Sequence, residues 1–256
     1  MLPPINTPEF VAARYAAMFN QRGFVGVDAT DPTNPSGHAY AVRVSSRLTT
    51  DYRKRLKRGS VDVTPEEVID CMIQADIKQW VLMGLHGYVG YLPMPRATQD
   101  VDVMVPYSQK FKATQAIATR WPMLTQVTLS QVIRFIDPTD LDSDGKGKPV
   151  VDLMFPWSPF QETILTSCVV VDPSSGSRYP TLEAALVSKY AALVSPHRSS
   201  EKKEQDAVDF RRIARANCKD LDRDKLRTLG NQVWEGGGEE ILLFVDLTLA
   251  DKQLPL

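Results

Sequence analysis

Asp100 and Asp102 stand two positions apart within DVDVMV, a segment that is otherwise apolar. Residues two apart on a strand point to the same face, so both carboxylates share one side while Val101 and Val103 occupy the other. Two carboxylates held this close repel each other, and partial burial strengthens the repulsion. A divalent cation relieves it, and Mg²⁺ suits oxygen ligands, with Mn²⁺ as the alternative. An edge strand with an acidic solvent face explains the two-residue motif equally well.

A third aspartate, Asp152, lies within VVDLMF, an apolar segment of the same kind. Packing explains an isolated carboxylate in a buried strand poorly, because burying an unpaired charge is costly. If this strand neighbours the one that carries Asp100 and Asp102, three carboxylates meet on one sheet face. Such a cluster can hold the two metal ions of a phosphoryl transfer, and it places Asp152 as general base for an acceptor hydroxyl.

The composition is that of an ordinary globular protein: of 256 residues, 43% are hydrophobic and 24% charged, and the formal net charge is -1. This charge gives no overall attraction to nucleic acid or to a membrane surface. No apolar run approaches the ~20 residues of a membrane helix, and the N-terminus lacks the pattern of a secretory signal. Three scattered cysteines argue against a disulfide framework or a structural zinc site. We therefore expect a reduced, cytoplasmic protein.

The order of the predicted elements indicates an α+β fold, in which a small mixed β-sheet with helices is followed by a C-terminal helical region. Helices are predicted after Thr64 and Thr181, whose side chains can cap the first turn. The expected parts are an N-terminal extension (1–63) with a helix, a strand at 39–46 and a basic run, a core (64–178) and the helical region (179–256). Strands are predicted at 79–84, 100–106, 128–136, 149–157 and 168–172, the third and fourth forming a hairpin.

The segment MGLHGYVGYLPMPRATQDVDVMV, with VVDLMF downstream, resembles the nucleotidyltransferase superfamily of polymerase-beta-like fold over residues 66–215. Its Arg-x-Thr-x-Asp-x-Asp form is similar to that of the AbiEii-type toxins of abortive-infection systems. The resemblance implies an NTP substrate, catalytic metal ligands at Asp100, Asp102 and Asp152, and a position for Arg96 and Thr98 beside the nucleotide. A structural ion pair to Asp100 or a neighbour is the alternative for Arg96.

The turn after the first strand departs from the family pattern. The family places Gly-Gly or Gly-Ser there, whereas this chain has Gly84-Leu85-His86-Gly87. Glycine lets a phosphate approach the backbone N–H groups at the start of a helix, so Gly84 or Gly87 is predicted to bind nucleotide. A plain strand-to-helix turn is the alternative. His86 either faces the triphosphate or caps the turn.

A second cluster in the helical region fits the resemblance. Lys189 and Arg198 match the family's cations, and the resemblance implies that they contact the nucleotide phosphates. Asp206 and Asp209 match its Asp-x-x-Asp, and a spacing of three puts both on one helix face. They either belong to the site or lie behind it and order Lys189 or Arg198. The family's Lys before the first Asp is missing, since Gln205 stands there, and a solvated charged helix remains the alternative for this cluster.

These features predict a Mg²⁺-dependent nucleotidyltransferase that moves NMP from an NTP to an acceptor hydroxyl, mainly by positioning and charge neutralisation. The resemblance implies a toxin-like enzyme with an RNA (tRNA) or protein acceptor and an antitoxin protein as partner. A small-molecule acceptor of the antibiotic type, such as an aminoglycoside, is one alternative. A non-catalytic nucleotide-binding or partner-binding module that retains the fold is the other.

Two further motifs have simpler explanations. Asp140, Asp142, Asp144 and Gly145 match the start of an EF-hand loop, but Val151 stands where the bidentate Glu is required, which favours a hairpin loop. The basic run at 52–58 either contacts RNA phosphates or forms a solvated helix end.

Overall fold

The computed structural model describes residues 35–55, 61–141, 145–173 and 175–255. A mixed sheet is formed by β1 (Val81–Leu82), β2 (Val101–Met104), β3 (Thr125–Thr128), β4 (Val132–Leu141) and β5 (Gly147–Met154). Their order across the sheet is β1-β2-β5-β4-β3. β2 and β5 pair in parallel, and the other neighbours pair antiparallel. A separate two-stranded ribbon joins β6 (Val169–Val171) to β7 (Arg178–Pro180).

The described ranges also contain nine α-helices. Five precede or follow the strands of the sheet: α1 (Pro35–Arg55), α2 (Pro65–Gln74), α3 (Gly84–Tyr88), α4 (Lys110–Arg120) and α5 (Pro159–Ser167). The other four form the helical C-terminal part: α6 (Leu182–Val194), α7 (Ser200–Ala216), α8 (Arg223–Val233) and α9 (Gly237–Leu249). The predicted α+β architecture, a mixed sheet with helices followed by a helical region, is confirmed.

The sheet separates two apolar clusters, and this division sets the face on which the aspartates lie. Val101 and Val103 of β2 pack with α2 and α4, while Met104 packs on the other side with the C-terminal helices. Each buried Val or Leu contributes about 1.5–3 kcal/mol relative to exposure. A slip of one residue would turn this apolar set to the wrong face, so the register of β2 is strongly specified. The even-numbered positions therefore face the helical region.

The predicted strand at 39–46 is wrong, because α1 covers it. AYAVRVSS alternates over a short window, but the buried residues His38, Ala41, Val42 and Ser45 recur at intervals of three and four. That spacing places them on one face of a helix. The helix predicted near the N-terminus lies outside the described residues. The helix start at Thr64 is confirmed by a capping box in which the Thr64 hydroxyl accepts from the Glu67 N–H.

The basic run is not uniformly exposed. The Arg53 side chain is buried and forms ion pairs with Asp137 at 3.4 Å and Asp140 at 3.6 Å. Asp140 belongs to β4 and also lies 3.9 Å from Nζ of Lys148, so its carboxylate is held by two cations. Residues 56–60 and 142–144, which complete the basic run and the calcium-like motif, lie outside the described residues. Arg53 is therefore a structural cation, unavailable to an RNA phosphate.

The hairpin predicted between the strands at 128–136 and 149–157 is confirmed by the antiparallel pairing of β4 with β5. β3 and β7 were not predicted. β3 is a four-residue strand at the sheet edge, and every one of its residues is exposed. Because neither face of β3 is buried, its sequence lacks the apolar alternation by which a strand is predicted. None of the described helices has the length and apolar character needed to cross a membrane.

Candidate active site

Three carboxylates meet on the sheet face that looks toward the C-terminal helices. In the parallel pairing of β2 and β5, Asp102 lies opposite Asp152, and Asp100 precedes Asp102 by two residues. One carboxylate oxygen from each residue lies within 4.8 Å of the others. The condition set by the sequence, that the two strands be neighbours, is met.

Burial and mutual repulsion govern the charge of this cluster. Burial, followed by the charges of Asp100 and Asp152, raises the pKa of Asp102 well above its ordinary value. Burial and the charge of Asp152 also raise the pKa of Asp100. Protein groups alone therefore leave these carboxylates under-compensated. Three hard oxygen donors within reach of a common point fit a divalent cation such as Mg²⁺.

Arg134 is the cationic partner of the cluster, and sequence analysis missed it. It lies opposite Asp152 in the β4–β5 pairing. Its Nε donates to Oδ1 of Asp152 at 2.9 Å and its Nη2 to Oδ2 at 2.7 Å. This fork-to-fork contact fixes the orientation of the carboxylate. A single Arg in an otherwise alternating strand is common, so only the pairing with Asp152 distinguishes it.

The glycine turn approaches the cluster closely. Gly84 has φ +52, and a Cβ at this position would lie 1.8 Å from Oδ2 of Asp102. The Met83 N–H donates to the backbone oxygen of Asp102 at 2.8 Å, which ties the turn to β2. A Cβ on Gly87 would lie 2.6 Å from the backbone oxygen of Leu82. Gly84 therefore allows contact with Asp102, and Gly87 allows α3 to pack on β1.

Lys189 stands at the centre of a buried ion network. Its Nζ lies 2.7 Å from Oδ1 of Asp206 and 3.1 Å from Oδ2 of Asp209. Nη2 of Arg198 lies 2.8 Å from Oδ2 of Asp206, so this carboxylate holds both cations. The i, i+3 spacing on α7 does bring Asp206 and Asp209 to the same partner. Charged side chains from α6 and α7 are thus fixed next to one another.

Arg96 joins the same network rather than the aspartate cluster. Its Nη2 donates to Oδ2 of Asp209 at 2.8 Å, and the Tyr88 hydroxyl donates to the same oxygen at 2.7 Å. Burial alone would raise the pKa of Asp209, but the Arg96 hydrogen bond and the Lys189 charge hold it below its ordinary value. With three cations and two carboxylates, the network of Arg96, Lys189, Arg198, Asp206 and Asp209 carries one net positive charge.

Thr98 and His86 lie behind the carboxylates. The Thr98 hydroxyl donates to Oδ1 of Asp100 at 3.2 Å. The His86 ring is buried, and neither ring nitrogen has a hydrogen-bond partner among the described residues. Burial, and then the charges of His38 and Arg96, lower the pKa of His86 to about 3, so its imidazole is neutral.

A cavity of about 860 Å³ opens beside the cluster. Of the predicted site residues, Gly84, Gly87, Asp102, Lys189, Arg198 and Asp206 line it. Among the residues that the structure describes, the walls of the cavity do not include the other predicted site residues: His86, Arg96, Thr98, Asp100, Asp152 and Asp209. Sequence analysis also missed lining residues: Trp157, Phe160, Trp234 and Glu240. Trp234 directly follows α8, and Trp157 lies three residues after the end of β5. Neither residue belongs to a motif that predicts a cavity wall.

Asp102 represents the acidic cluster on the wall of this cavity, and the ion network contributes Lys189, Arg198 and Asp206 to the same wall. The cavity is of ligand-binding size. No protein-family model and no curated protein matches the sequence. Among solved structures, the fold is similar to the crystal structure of an antigenic nucleotidyltransferase-like protein from Paracoccidioides brasiliensis. The TM-score is 0.42 and the sequence identity 14%, over 83% of this chain and 93% of that chain.

Proposed function

We propose that this chain is a Mg²⁺-dependent nucleotidyltransferase that moves NMP from an NTP to an acceptor hydroxyl. The observation that supports it most is the meeting of Asp100, Asp102 and Asp152 within 4.8 Å, beside a cavity that Lys189 also lines. Carboxylates suited to Mg²⁺ and a fixed cation, side by side, match the charge of a metal-bound triphosphate.

The proposed roles follow from the contacts of each residue. Asp100, Asp102 and Asp152 would hold Mg²⁺, or Mn²⁺, which supplies neutralisation of the phosphate charge and polarisation of the α-phosphoryl group. Lys189 and Arg198, both on the cavity wall, contact the phosphates. The other residues of the ion network lie behind them: Asp206 and Asp209 hold these cations in position, and Arg96 secures Asp209.

The proposed reaction is an in-line displacement at the α-phosphorus. The acceptor oxygen forms a bond to this phosphorus while the bond to the bridging oxygen of the β-phosphate breaks, and the electron pair leaves with pyrophosphate. Asp152 takes the hydroxyl proton. Arg134 donates to both oxygens of Asp152 and thereby orients the carboxylate, and Oδ1, which accepts only one of these hydrogen bonds, retains a lone pair for the proton.

The acceptor and the biological role are further parts of the proposal. The Arg-x-Thr-x-Asp-x-Asp resemblance supports a toxin-like enzyme with a tRNA or protein acceptor and an antitoxin partner. In the fold, Arg96 of this motif secures the network around Lys189, and Thr98 donates to Asp100, so each residue has a reason to accompany the two acids.

The experiment is transfer of label from each α-labelled NTP, with Mg²⁺, to total tRNA, to protein and to an aminoglycoside. We expect transfer from at least one NTP, and loss of transfer in Asp100→Ala. Asp70→Asn, a change of an exposed acid on α2, serves as the matched control and should keep full activity. The proposal is wrong if no NTP transfers label to any acceptor and no NTP raises the melting temperature.

A further inference from the structure

A second group of side chains lines the same cavity, apart from the three aspartates and the ion network. It comprises Trp157, Phe160, Val194, Val233, Trp234 and Glu240. Within the described residues, no hydrogen bond or ion pair joins their side chains to those of Asp100, Asp102, Asp152 or Lys189. This part of the cavity, which we term the aromatic subsite, is mainly apolar, and Glu240 is its acid.

Glu240 is fixed in place through one of its two oxygens. The Tyr190 hydroxyl donates to Oε2 of Glu240 at 2.5 Å. Nε1 of Trp234 donates to the Tyr190 oxygen at 2.5 Å and also lies 3.2 Å from Oε2 of Glu240. Tyr190 is fully buried, and burial together with the Glu240 hydrogen bond raises its pKa, so it remains a donor. Because Tyr190 lies on α6 and Trp234 directly follows α8, both contacts come from fixed elements, and the Glu240 carboxylate has little freedom to rotate.

The other oxygen, Oε1 of Glu240, has no donor among the described residues. An ionised carboxylate only accepts hydrogen bonds. Glu240 therefore offers a fixed acceptor to whatever fills the aromatic subsite. A ligand group that presents N–H satisfies it, whereas a carbonyl oxygen in the same place is repelled.

Two indole rings that line the same cavity are largely exposed. Trp157 is 63% exposed to solvent, and Trp234 is 47% exposed. Tryptophan is costly to leave in water, and a planar heteroaromatic ring can stack on it. Stacking on an aromatic side chain is worth about 1–3 kcal/mol per base and accepts every base. The subsite thus offers general stacking together with one directional acceptor.

We propose that the aromatic subsite binds the nucleobase of the NTP, and that Glu240 selects bases that carry an amino group. Adenine, cytosine and guanine each present an exocyclic amino donor, whereas uracil presents carbonyl oxygens on either side of a single N–H. Glu240 therefore favours ATP, CTP and GTP over UTP. The assignment rests on the proposed nucleotidyltransferase function and adds to it the class of nucleotide.

Glu240→Gln tests the assignment by reversing one hydrogen bond. The amide oxygen of Gln still accepts from Tyr190 and Trp234, while its amino group takes the place of Oε1. The dissociation constants of ATP, CTP, GTP and UTP are measured with Mg²⁺ by calorimetry. We expect the wild-type protein to bind at least one amino-bearing NTP about tenfold or more tightly than UTP, the gain of one charged hydrogen bond. In Glu240→Gln that ratio falls about tenfold.

Glu239→Gln is the matched control. Glu239 neighbours Glu240 on α9, is exposed, pairs with Arg227 and does not line the described cavity. Its substitution should leave the ranking of the four NTPs unchanged. A melting curve for each variant verifies that the fold is retained.

Three results would overturn the assignment, and they are distinguishable from failure of the proposed function. Wild-type preference for UTP contradicts it directly. An unchanged ranking in Glu240→Gln removes Glu240 from base selection but leaves nucleotidyl transfer standing. If Glu240→Gln leaves the NTP affinities unchanged but weakens the binding of an aminoglycoside in the same calorimetry, the subsite holds the acceptor. If the wild-type protein binds no NTP, the proposed function and this assignment both fail.

Discussion

Asp102 of β2 lies directly opposite Asp152 of β5 in the one parallel pairing of the described five-stranded sheet. This relationship joins a two-acid motif to a single acid that is distant in the chain. With Asp100, it gives three carboxylates within 4.8 Å, and Arg134 lies beside Asp152 on the next strand. The surplus negative charge has consequences that can be measured.

Asp102→Asn should stabilise the protein in the absence of metal, because it removes one of the repelling charges. We expect a gain of about 1 kcal/mol or more, or roughly 2–4 °C in Tm for a chain of this size. The same substitution should abolish the rise in Tm that Mg²⁺ gives the wild-type protein. Thermal unfolding with EDTA and with Mg²⁺ measures both effects. A metal-free Asp102→Asn protein that melts below the wild type would contradict the electrostatic account.

The gain from Asp102→Asn should depend on pH. A carboxyl whose folded pKa is raised destabilises the fold when ionised, at pH above that raised value, and this penalty disappears as the pH falls toward the ordinary value of 3.8. Tm of the variant minus Tm of the wild type should therefore be largest at neutral pH and shrink on acidification. Groups such as Asp209, whose lowered pKa makes the fold lose stability in acid, affect both proteins equally. A difference that stays constant with pH would count against a raised pKa.

Arg134 should matter for transfer through the orientation of Asp152. Arg134→Gln removes both hydrogen bonds to that carboxylate, and we expect kcat to fall about 10²-fold, the scale of a misplaced catalytic group. Arg134→Lys keeps the charge but not the fork, so its loss should be smaller. The Mg²⁺ concentration needed for half-maximal rate should not rise in Arg134→Gln, because removal of a positive charge favours cation binding. A normal kcat in both variants would rule out the positioning role.

Asp209 should be a major source of stability. Asp209→Ala leaves Lys189 and Arg96 without a shared buried partner, and breaking a buried pair costs about 3 kcal/mol when one partner is partly exposed. Tm should fall by about 6–12 °C. Asp251→Asn is the contrasting variant, because it removes an exposed ion pair to Arg215, suits the left-handed backbone at this position (φ +56) and should change Tm little. Equal effects of the two variants on Tm would contradict the buried network.

The acidic strands could be predicted because a carboxylate inside an apolar segment is rare and side-chain alternation has an exact period of two. The pairing of Asp102 with Asp152 could only be stated as a condition, since nothing local in either strand specifies its neighbour. The i, i+3 spacing of Asp206 and Asp209 likewise predicted a shared face. That these aspartates order Lys189 was one of the alternatives considered for them. The choice depends on the packing of α6 on α7, which brings Lys189 to both carboxylates.

The wrong strand prediction and the contacts that were not predicted also have physical causes. At 39–46, the alternation of AYAVRVSS is shorter than the helix in which it lies, and the buried spacing becomes clear only when His38 and Arg53 are included. Arg96 was predicted beside the nucleotide, with a structural ion pair as the alternative. Its ion pair with Asp209 and its contact with Tyr88 come from packing, which the motif does not specify. Glu240 and Trp234 belong to no motif, and their contacts with Tyr190 become visible only in the fold.

The position of the transferred label tests the central claim most directly. The wild-type protein is incubated with Mg²⁺ and acceptor, and with NTP labelled either at the α-phosphate or at the γ-phosphate. The account predicts that α-label becomes attached to the acceptor with equimolar release of pyrophosphate, that γ-label never does, and that Asp102→Asn abolishes the transfer. Transfer of the γ-label, or α-label transfer that survives in Asp102→Asn, would contradict it.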